Sequence, residues 1–328
     1  MTPRPFGTTG SLLSPIAFGA MRITANADGT SSVLRHALER GITAIDTARN
    51  YGDSEAIVAR TLRAWRGPRP WISTKVKPLD ISNWRYYVPM AHQFTPASIV
   101  ESVETSLRTL GLDCVDFVQL HQWYYRWGRE TAWLETLHRL RDQGKVRSVG
   151  VSAQDHEHDA LLGLIETRQV EGVQLVFNAF ESRPLVSVVP LAFERGVGVI
   201  ARCLFDHGGA LAGAATRESL SRDVKLANAS PEIVSEYLTR VDRLRNEALD
   251  HGMDLVELSV RFALSHPGIS TIATSPATAA HVDAVIEAAA KGPLEAALVD
   301  RVCRAHVWVK NFYYFSAATV DGNPRVQA

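Results

Sequence analysis

The chain has 328 residues, 46% of them apolar, and its 35 basic and 35 acidic side chains cancel to a formal net charge of zero. That is enough for one large buried core, and with no basic stripe a nucleic-acid partner is not expected. No apolar run reaches the roughly 18–20 residues of a membrane helix, so no membrane partner is expected either.

Met1 to Gly10 lacks the apolar stretch of a signal peptide. Cys114, Cys203 and Cys303 are far apart and odd in number, which suggests neither a disulfide framework nor a metal site. A cytoplasmic setting is therefore the expectation. From there, short apolar runs alternate with longer amphipathic segments. A first strand is expected near Ser14–Phe18. Ser31–Arg40 reads as a helix closed by Gly41. Ile42–Asp46 is the next strand, and Asp53 can cap a helix through Leu62. Trp71–Lys75 follows. Thr95-Pro96 combines a cap with proline at the first helical position and opens a helix through Leu110, stopped at Gly111. Val115–Leu120, Val146–Val151, Val173–Val176, Val197–Ala201 and Ile269–Ala273 complete the strands. Helical patterns lie at Glu130–Gln143, Asp155–Thr167, Ser230 to about His251, Val256–Leu264 and Thr278–Ala290.

The strand runs are β-branched and continuous, as in parallel strands covered on both faces. A strand-then-helix repeat has two main solutions, an open doubly wound sheet or a closed barrel. Close to eight units, and no G-x-G-x-x-G after an early strand, favour a (β/α)8 TIM barrel. With no interdomain linker, residues 1–328 read as a single barrel domain, with an aromatic tail from about 307 to 328 over its rim. The long stretch Leu204–Ala229 reads as a functional loop.

Catalytic groups in such barrels sit at the carboxyl ends of strands. Three successive strands here end in ionisable residues: Asp46, Lys75 and His121. Tyr51 follows the first of them by one short loop. Any one of these alone is more often a cap or a rim charge; together they suggest carbonyl chemistry. A phenol with a pKa near 10 is a poor acid-base catalyst at pH 7, and a nearby ammonium lowers that pKa. The carboxylate holds the ammonium, and an imidazole can orient a carbonyl. Hydride must come from a cofactor, because no side chain supplies it.

Phe6-Gly7-Thr8-Thr9-Gly10, Phe18 to Arg22, Asp46 to Glu55, Leu110 to His121 and Gly144 to Ser152 together resemble the aldo-keto reductase family. The resemblance runs from Phe6 to about His306. It implies Tyr51 as general acid or base, tuned by Lys75 and Asp46, with His121 orienting the substrate. It also implies that Ser152 and Gln174 hold a nicotinamide carboxamide. Arg202 takes the place of a stacking tyrosine, and Phe205, Asp206, His207 and Gly208 lie against the pyrophosphate through backbone N–H groups. Ala153 stands where members commonly carry Asn. On the adenosine side Thr274 and Ala280 stand where members that favour NADP carry Lys or Arg, and Ala284 where Asn is common, while Ser275 and Asp283 survive as polar groups, so that Thr274, Ser275 and Asp283 are the cofactor candidates there. That leaves NADP(H) as the cofactor implied first, with NAD(H) as its rival.

Three aromatic stretches are expected to form a substrate cup: Trp84 to Tyr87, Trp123 to Trp127, and Trp308 with Phe312 to Phe315. Trp84, Trp123, Tyr124 and Trp308 are the substrate candidates, and the substrate is a small carbonyl or alcohol: an aldehyde, ketone or sugar. Two other readings compete with the oxidoreductase. One is a redox-silent lyase, cyclase or isomerase using the same four groups; the other is a nucleotide-sensing regulatory protein.

Overall fold

The structure is a computed structural model that describes residues 1–80, 88–213, 215–221 and 229–308. A short antiparallel hairpin, β1 (Arg4–Pro5) and β2 (Leu12–Leu13), comes first. Eight parallel strands follow: β3 (Ile16–Gly19), β4 (Ala44–Asp46), β5 (Trp71–Val76), β6 (Val115–Trp123), β7 (Val146–Ala153), β8 (Gly172–Val176), β9 (Gly198–Arg202) and β10 (Thr271–Thr274). They pair in chain order, and β10 closes onto β3 to complete the barrel.

Between and after the strands lie α1 (Ser32–Glu39), α2 (Ser54–Ala64), α3 (Pro96–Leu110), α4 (Ala132–Asp142), α5 (Leu162–Glu166), α6 (Val188–Arg195), α7 (Arg217–Ser221), α8 (Pro231–Asp250), α9 (Leu255–Ala263), α10 (Ala279–Ala290) and α11 (Ala296–His306). Helix α3 starts and stops where its sequence signals lie. Thr95 and Ser98 cap one another reciprocally, Pro96 opens the first turn, and Gly111 ends it at φ 68°. Ser31, Ser230 and Thr278 likewise accept from backbone N–H groups at the starts of α1, α8 and α10.

Two departures from the sequence reading are local. The segment Asp155–Thr167 holds only a one-turn 3-10 helix and the short α5, and Asp155 pairs with Arg202 instead of capping a helix. Helices α6, α7 and α11 fall where no helix is expected from the sequence.

The barrel interior is layered along each strand at period two. At the closed end, Phe6 from the hairpin plugs the barrel, edge-on to Trp71 and Phe117 with ring centroids 5.0 Å away in each case. Room for it comes from missing side chains. A Cβ at Gly172 would lie 2.3 Å from the Phe6 ring, and one at Gly198 2.4 Å from it. Two residues further along, polar groups take over on four strands: Ser73 then Lys75 on β5, Gln119 then His121 on β6, Ser152 on β7 and Gln174 on β8; on β9 Ile200 still belongs to the apolar layer and Arg202 follows it. The hairpin therefore seals one end with aromatic and glycine positions, and the other end is left polar.

Candidate active site

Strand β6 sets the height of the site. It runs to Trp123, beyond the expected end at Leu120, and pairs His121 with Ser152 across β7 before its register slips. His121 is thus lifted to the rim, separated by one strand, β5, from the short β4, whose last residue is Asp46.

Asp46 and Lys75 form a buried ion pair, with Lys75 Nζ donating to Asp46 Oδ2 at 2.6 Å and to the Thr47 carbonyl at 3.0 Å. Ser73 Oγ donates to the other carboxylate oxygen at 3.0 Å, and Gln119 Nε2 donates to Ser73 Oγ at 2.8 Å. Burial alone would lower the Lys75 pKa. Attraction to Asp46, and then to Tyr51, outweighs it and holds the ammonium above its ordinary range. Glu55, itself buried, accepts from Thr74 and Arg49 at 2.7 Å each and ties α2 to β5 behind the pair.

The Lys75 ammonium lies 4.9 Å from the centroid of the Tyr51 ring. Burial raises the Tyr51 pKa, Lys75 pulls it down, and burial wins. This reverses the expectation that the ammonium would set the shift: the phenol is held protonated, the form a proton donor needs. The Tyr51 and His121 rings meet edge to face at 5.8 Å. Burial, and then the charges of Lys75 and Arg202, push His121 well below the ordinary imidazole range. A neutral imidazole carries one N–H, and His121 Nδ1 lies 3.1 Å from the Asn50 amide oxygen. As placed, the amide oxygen accepts from Nδ1–H and leaves Nε2 as an acceptor; with the amide turned over, Asn50 donates to Nδ1 and the proton sits on Nε2, the form that can donate to a carbonyl oxygen. Asn50 therefore decides the tautomer, a role that only the folded geometry reveals.

The second group of residues lies across the barrel. Ser152 and Gln174 are neighbours on β7 and β8, and Ser152 Oγ donates to Gln174 Oε1 at 3.4 Å. Gln174 Nε2 is buried with no partner among the described residues. A buried unpaired amide donor is costly, and a ligand carboxamide oxygen would satisfy it. Arg202 projects from β9 and is fixed by Asp155 Oδ1 and the Ala153 carbonyl, both at 2.8 Å. Its Nε has no partner among the described residues. The Thr274 hydroxyl at the end of β10 is in the same condition, and Ser275 sits beside it against Gly19.

Beyond β9 the chain is contorted: Cys203 and Asp206 are at φ 56°, Gly208 at φ 60° and Gly209 at φ 74°. Phe205 packs on the core. Asp206 does not offer what the resemblance implies. Its N–H donates to the Cys203 carbonyl at 2.9 Å, and its carboxylate accepts from Tyr237 at 2.5 Å and Asn178 at 3.4 Å. It fastens the loop to α8. Asp283 also turns elsewhere, to His36 of α1 at 2.9 Å and to Arg40, the residue that caps α1, at 2.8 Å.

The aromatic cup needs correcting. Trp123 is buried; its indole N–H donates to the Ala160 carbonyl at 3.1 Å, and its ring packs on Trp127 and Trp133. It is a core residue, because β6 extends far enough to turn it outward against α4. From that loop it is Trp127, not Trp123, that lines the small cavity at His121. Tyr124 packs beside Tyr125 and Trp127. Trp308 lies against Tyr237 and Phe180, its N–H bonded to the Phe180 carbonyl at 2.8 Å. Trp84, with Tyr86 and Tyr87, and the aromatic residues 312–315 lie outside the described residues.

A buried carboxylate locks the rim loops after β7 and β8. Glu181 accepts from His156 and from Arg183 Nε at 2.6 Å and Nη2 at 2.8 Å. Burial raises its pKa, but the hydrogen bonds from His156 and Arg183 outweigh that and bring it to about 2. The folded value is below the unfolded one of about 4.3, so the stabilisation is present above that pH and is lost as pH falls toward about 2. Glu181→Gln should therefore cost about 2–3 kcal/mol at pH 7. Denaturant titrations of the two proteins should converge as pH falls below 4; a gap that persists at low pH would mean that the lost contacts, not the charge, carry the effect.

The match to known proteins follows this geometry. The model of the aldo/keto reductase family covers residues 15–305. The chain belongs to that family. It is 31% identical over 248 residues to aldo-keto reductase YhdN of Bacillus subtilis (strain 168), covering 72% of this chain and 71% of the relative. It is 26% identical over 232 residues to the NADH-specific methylglyoxal reductase of Escherichia coli (strain K12), covering 65% and 70%. The fold matches aldo-keto reductase AKR11C1 from Bacillus halodurans, holo form, with a TM-score of 0.75 at 23% identity over 94% of this chain and 99% of that one. Relatives of this kind are oxidoreductases, and the family uses nicotinamide cofactors. Among the described residues no helix is long and apolar enough to cross a membrane, and no group of metal-ligating side chains is assembled.

Proposed function

We propose that the protein reduces a small aldehyde or ketone, or oxidises the corresponding alcohol, with Tyr51 as the general acid or base. The observation that carries this reading is the Tyr51 phenol poised between the buried Lys75–Asp46 pair and the neutral His121. His121 Nε2–H orients the carbonyl oxygen. Tyr51 gives that oxygen a proton as charge develops on it, and Lys75 stabilises the phenolate left behind. Asp46 keeps Lys75 charged and in place. Ser152, Gln174 and Arg202 would hold a nicotinamide, which supplies the hydride when bound. The unpaired donors on Gln174 and Arg202 support that assignment.

NADP(H) is the cofactor proposed first, with NAD(H) close behind. Thr274 and Ala280 place no cation where a 2′-phosphate of about two negative charges would lie, and the similar Escherichia coli enzyme is named NADH-specific. The Asp283 charge is compensated by Arg40, and its carboxylate is bonded to His36, so it opposes a phosphate less than its sequence position suggests. Thr278 caps α10, and Ala280 is exposed in its first turn, where backbone N–H groups favour anions. The test is loss of absorbance of NADPH and NADH in the presence of small aldehydes. Both nucleotides should be consumed with weak discrimination, and Ala280→Arg should shift the preference toward NADPH by roughly tenfold, the scale of one charge-assisted contact. If neither nucleotide is oxidised by any aldehyde, the redox-silent reading replaces this one.

A further inference from the structure

A small cavity opens beside His121. It measures about 10 Å³ and is lined by His121, Gln93, Gln122, Gln154, Phe94 and Trp127. That volume holds about one water-sized group. Gln93 is 2% exposed, and neither its Nε2 nor its Oε1 has a partner among the described residues. Its backbone is well anchored, with its N–H on the Met90 carbonyl at 2.8 Å and its carbonyl accepting from Leu79 at 2.9 Å. The loop is thus held in place while the side chain ends in an unpaired donor and an unpaired acceptor. Buried amides left wholly unpaired are rare and costly.

We infer that Gln93 reads a hydroxyl group on the substrate, next to the carbonyl that His121 orients, so that the preferred substrates are 2-hydroxy aldehydes and ketones and their 1,2-diols. This rests on the carbonyl-reduction reading above. A hydroxyl accepts from the amide N–H and donates to the amide oxygen, so it satisfies both orphaned atoms at once. The cavity is too small for an aromatic ring or a long chain. Because His121 shares it, the hydroxyl must lie within a carbon or two of the reacting centre. Gln122 and Gln154 add polar wall, while Phe94 and Trp127 close the other sides. The hydroxyl is held and not transformed. Hydride from the reduced nicotinamide adds to the carbonyl carbon, the Tyr51 proton goes to the oxygen, and the product is a 1,2-diol with oxidised nicotinamide.

The test compares kcat/KM for 2-hydroxypropanal and propanal in the full-length protein and in Gln93→Met, which keeps the length of the side chain and removes both polar atoms. The wild type should favour the hydroxylated aldehyde by roughly 10–100-fold, the range of one buried hydrogen-bonding pair. In Gln93→Met that ratio should collapse toward one. No preference in the wild type, or equal losses on both aldehydes in the variant, would overturn the inference. If Gln93→Met fails to fold, Gln93→Leu, which also removes both polar atoms, carries the same comparison. Binding of 1,2-propanediol against 1-propanol, followed by calorimetry, separates this idea from the one beneath it. Should neither aldehyde be reduced, diol selectivity that disappears in Gln93→Met would uphold the hydroxyl site while the Tyr51 reading falls; no selectivity would overturn the hydroxyl site as well.

Discussion

Tyr51→Phe should lower kcat by at least ~10²-fold, the usual scale for a positioned acid, and leave nucleotide binding close to that of the wild type. The ring keeps its place over the Lys75 ammonium, 4.9 Å from the centroid, so the change removes the transferable proton and little else. Single-turnover oxidation of bound NADPH would isolate the chemical step. The pH profile adds a second check. Burial holds the phenol pKa up, so reduction should stay flat through neutral pH and weaken only on the alkaline side, while alcohol oxidation, which needs phenolate, should rise with pH. His121 is held well below its ordinary range, so no acid limb from its protonation should appear between pH 6 and 8. A Tyr51→Phe protein with wild-type turnover would remove Tyr51 from the reaction.

What the sequence reveals of this molecule divides along physical lines. Strand runs such as Val115–Leu120 and caps such as Thr95-Pro96 are local signals, and the barrel follows from their order and number. The four groups around Tyr51 are legible for the same reason, since an ionisable residue at the end of a buried strand has few structural explanations. Asn50 and Gln93 are not legible. Nothing in their neighbourhoods marks a polar side chain as the partner of His121 or as unpaired, because that depends on the opposing strand and loop. Trp123 misleads for a related reason. Its position just beyond an apolar run suggests an open rim, but β6 continues three residues past Leu120 and turns the indole into the core. Asp206 and Asp283 sit where the family pattern puts cofactor contacts, and only the fold discloses Tyr237, His36 and Arg40 as their partners.

Lys75→Met should cost both chemistry and fold. It strands the Asp46 carboxylate, which is 5% exposed, with only Ser73 and a long contact to Gln119 at 3.5 Å among the described residues. Breaking a buried pair from one side typically costs about 3–5 kcal/mol, which for a chain of this size lowers Tm by roughly 5–10 °C. The double variant Lys75→Met/Asp46→Asn should recover part of that loss, because no charge is then left buried without its partner. Activity should not recover with it, since the phenolate would still lack its stabilising ammonium. The pH dependence has a definite sign. The folded pKa of Lys75 lies above its unfolded value of about 10.4. The stabilisation is therefore complete below that value and is lost only as pH rises through the folded pKa. Denaturant titrations should show a constant gap between wild type and Lys75→Met from pH 6 to pH 9. A Lys75→Met protein as stable as the wild type would mean that the ion pair gives the fold nothing beyond what its burial costs, and that Lys75 is retained for Tyr51 alone.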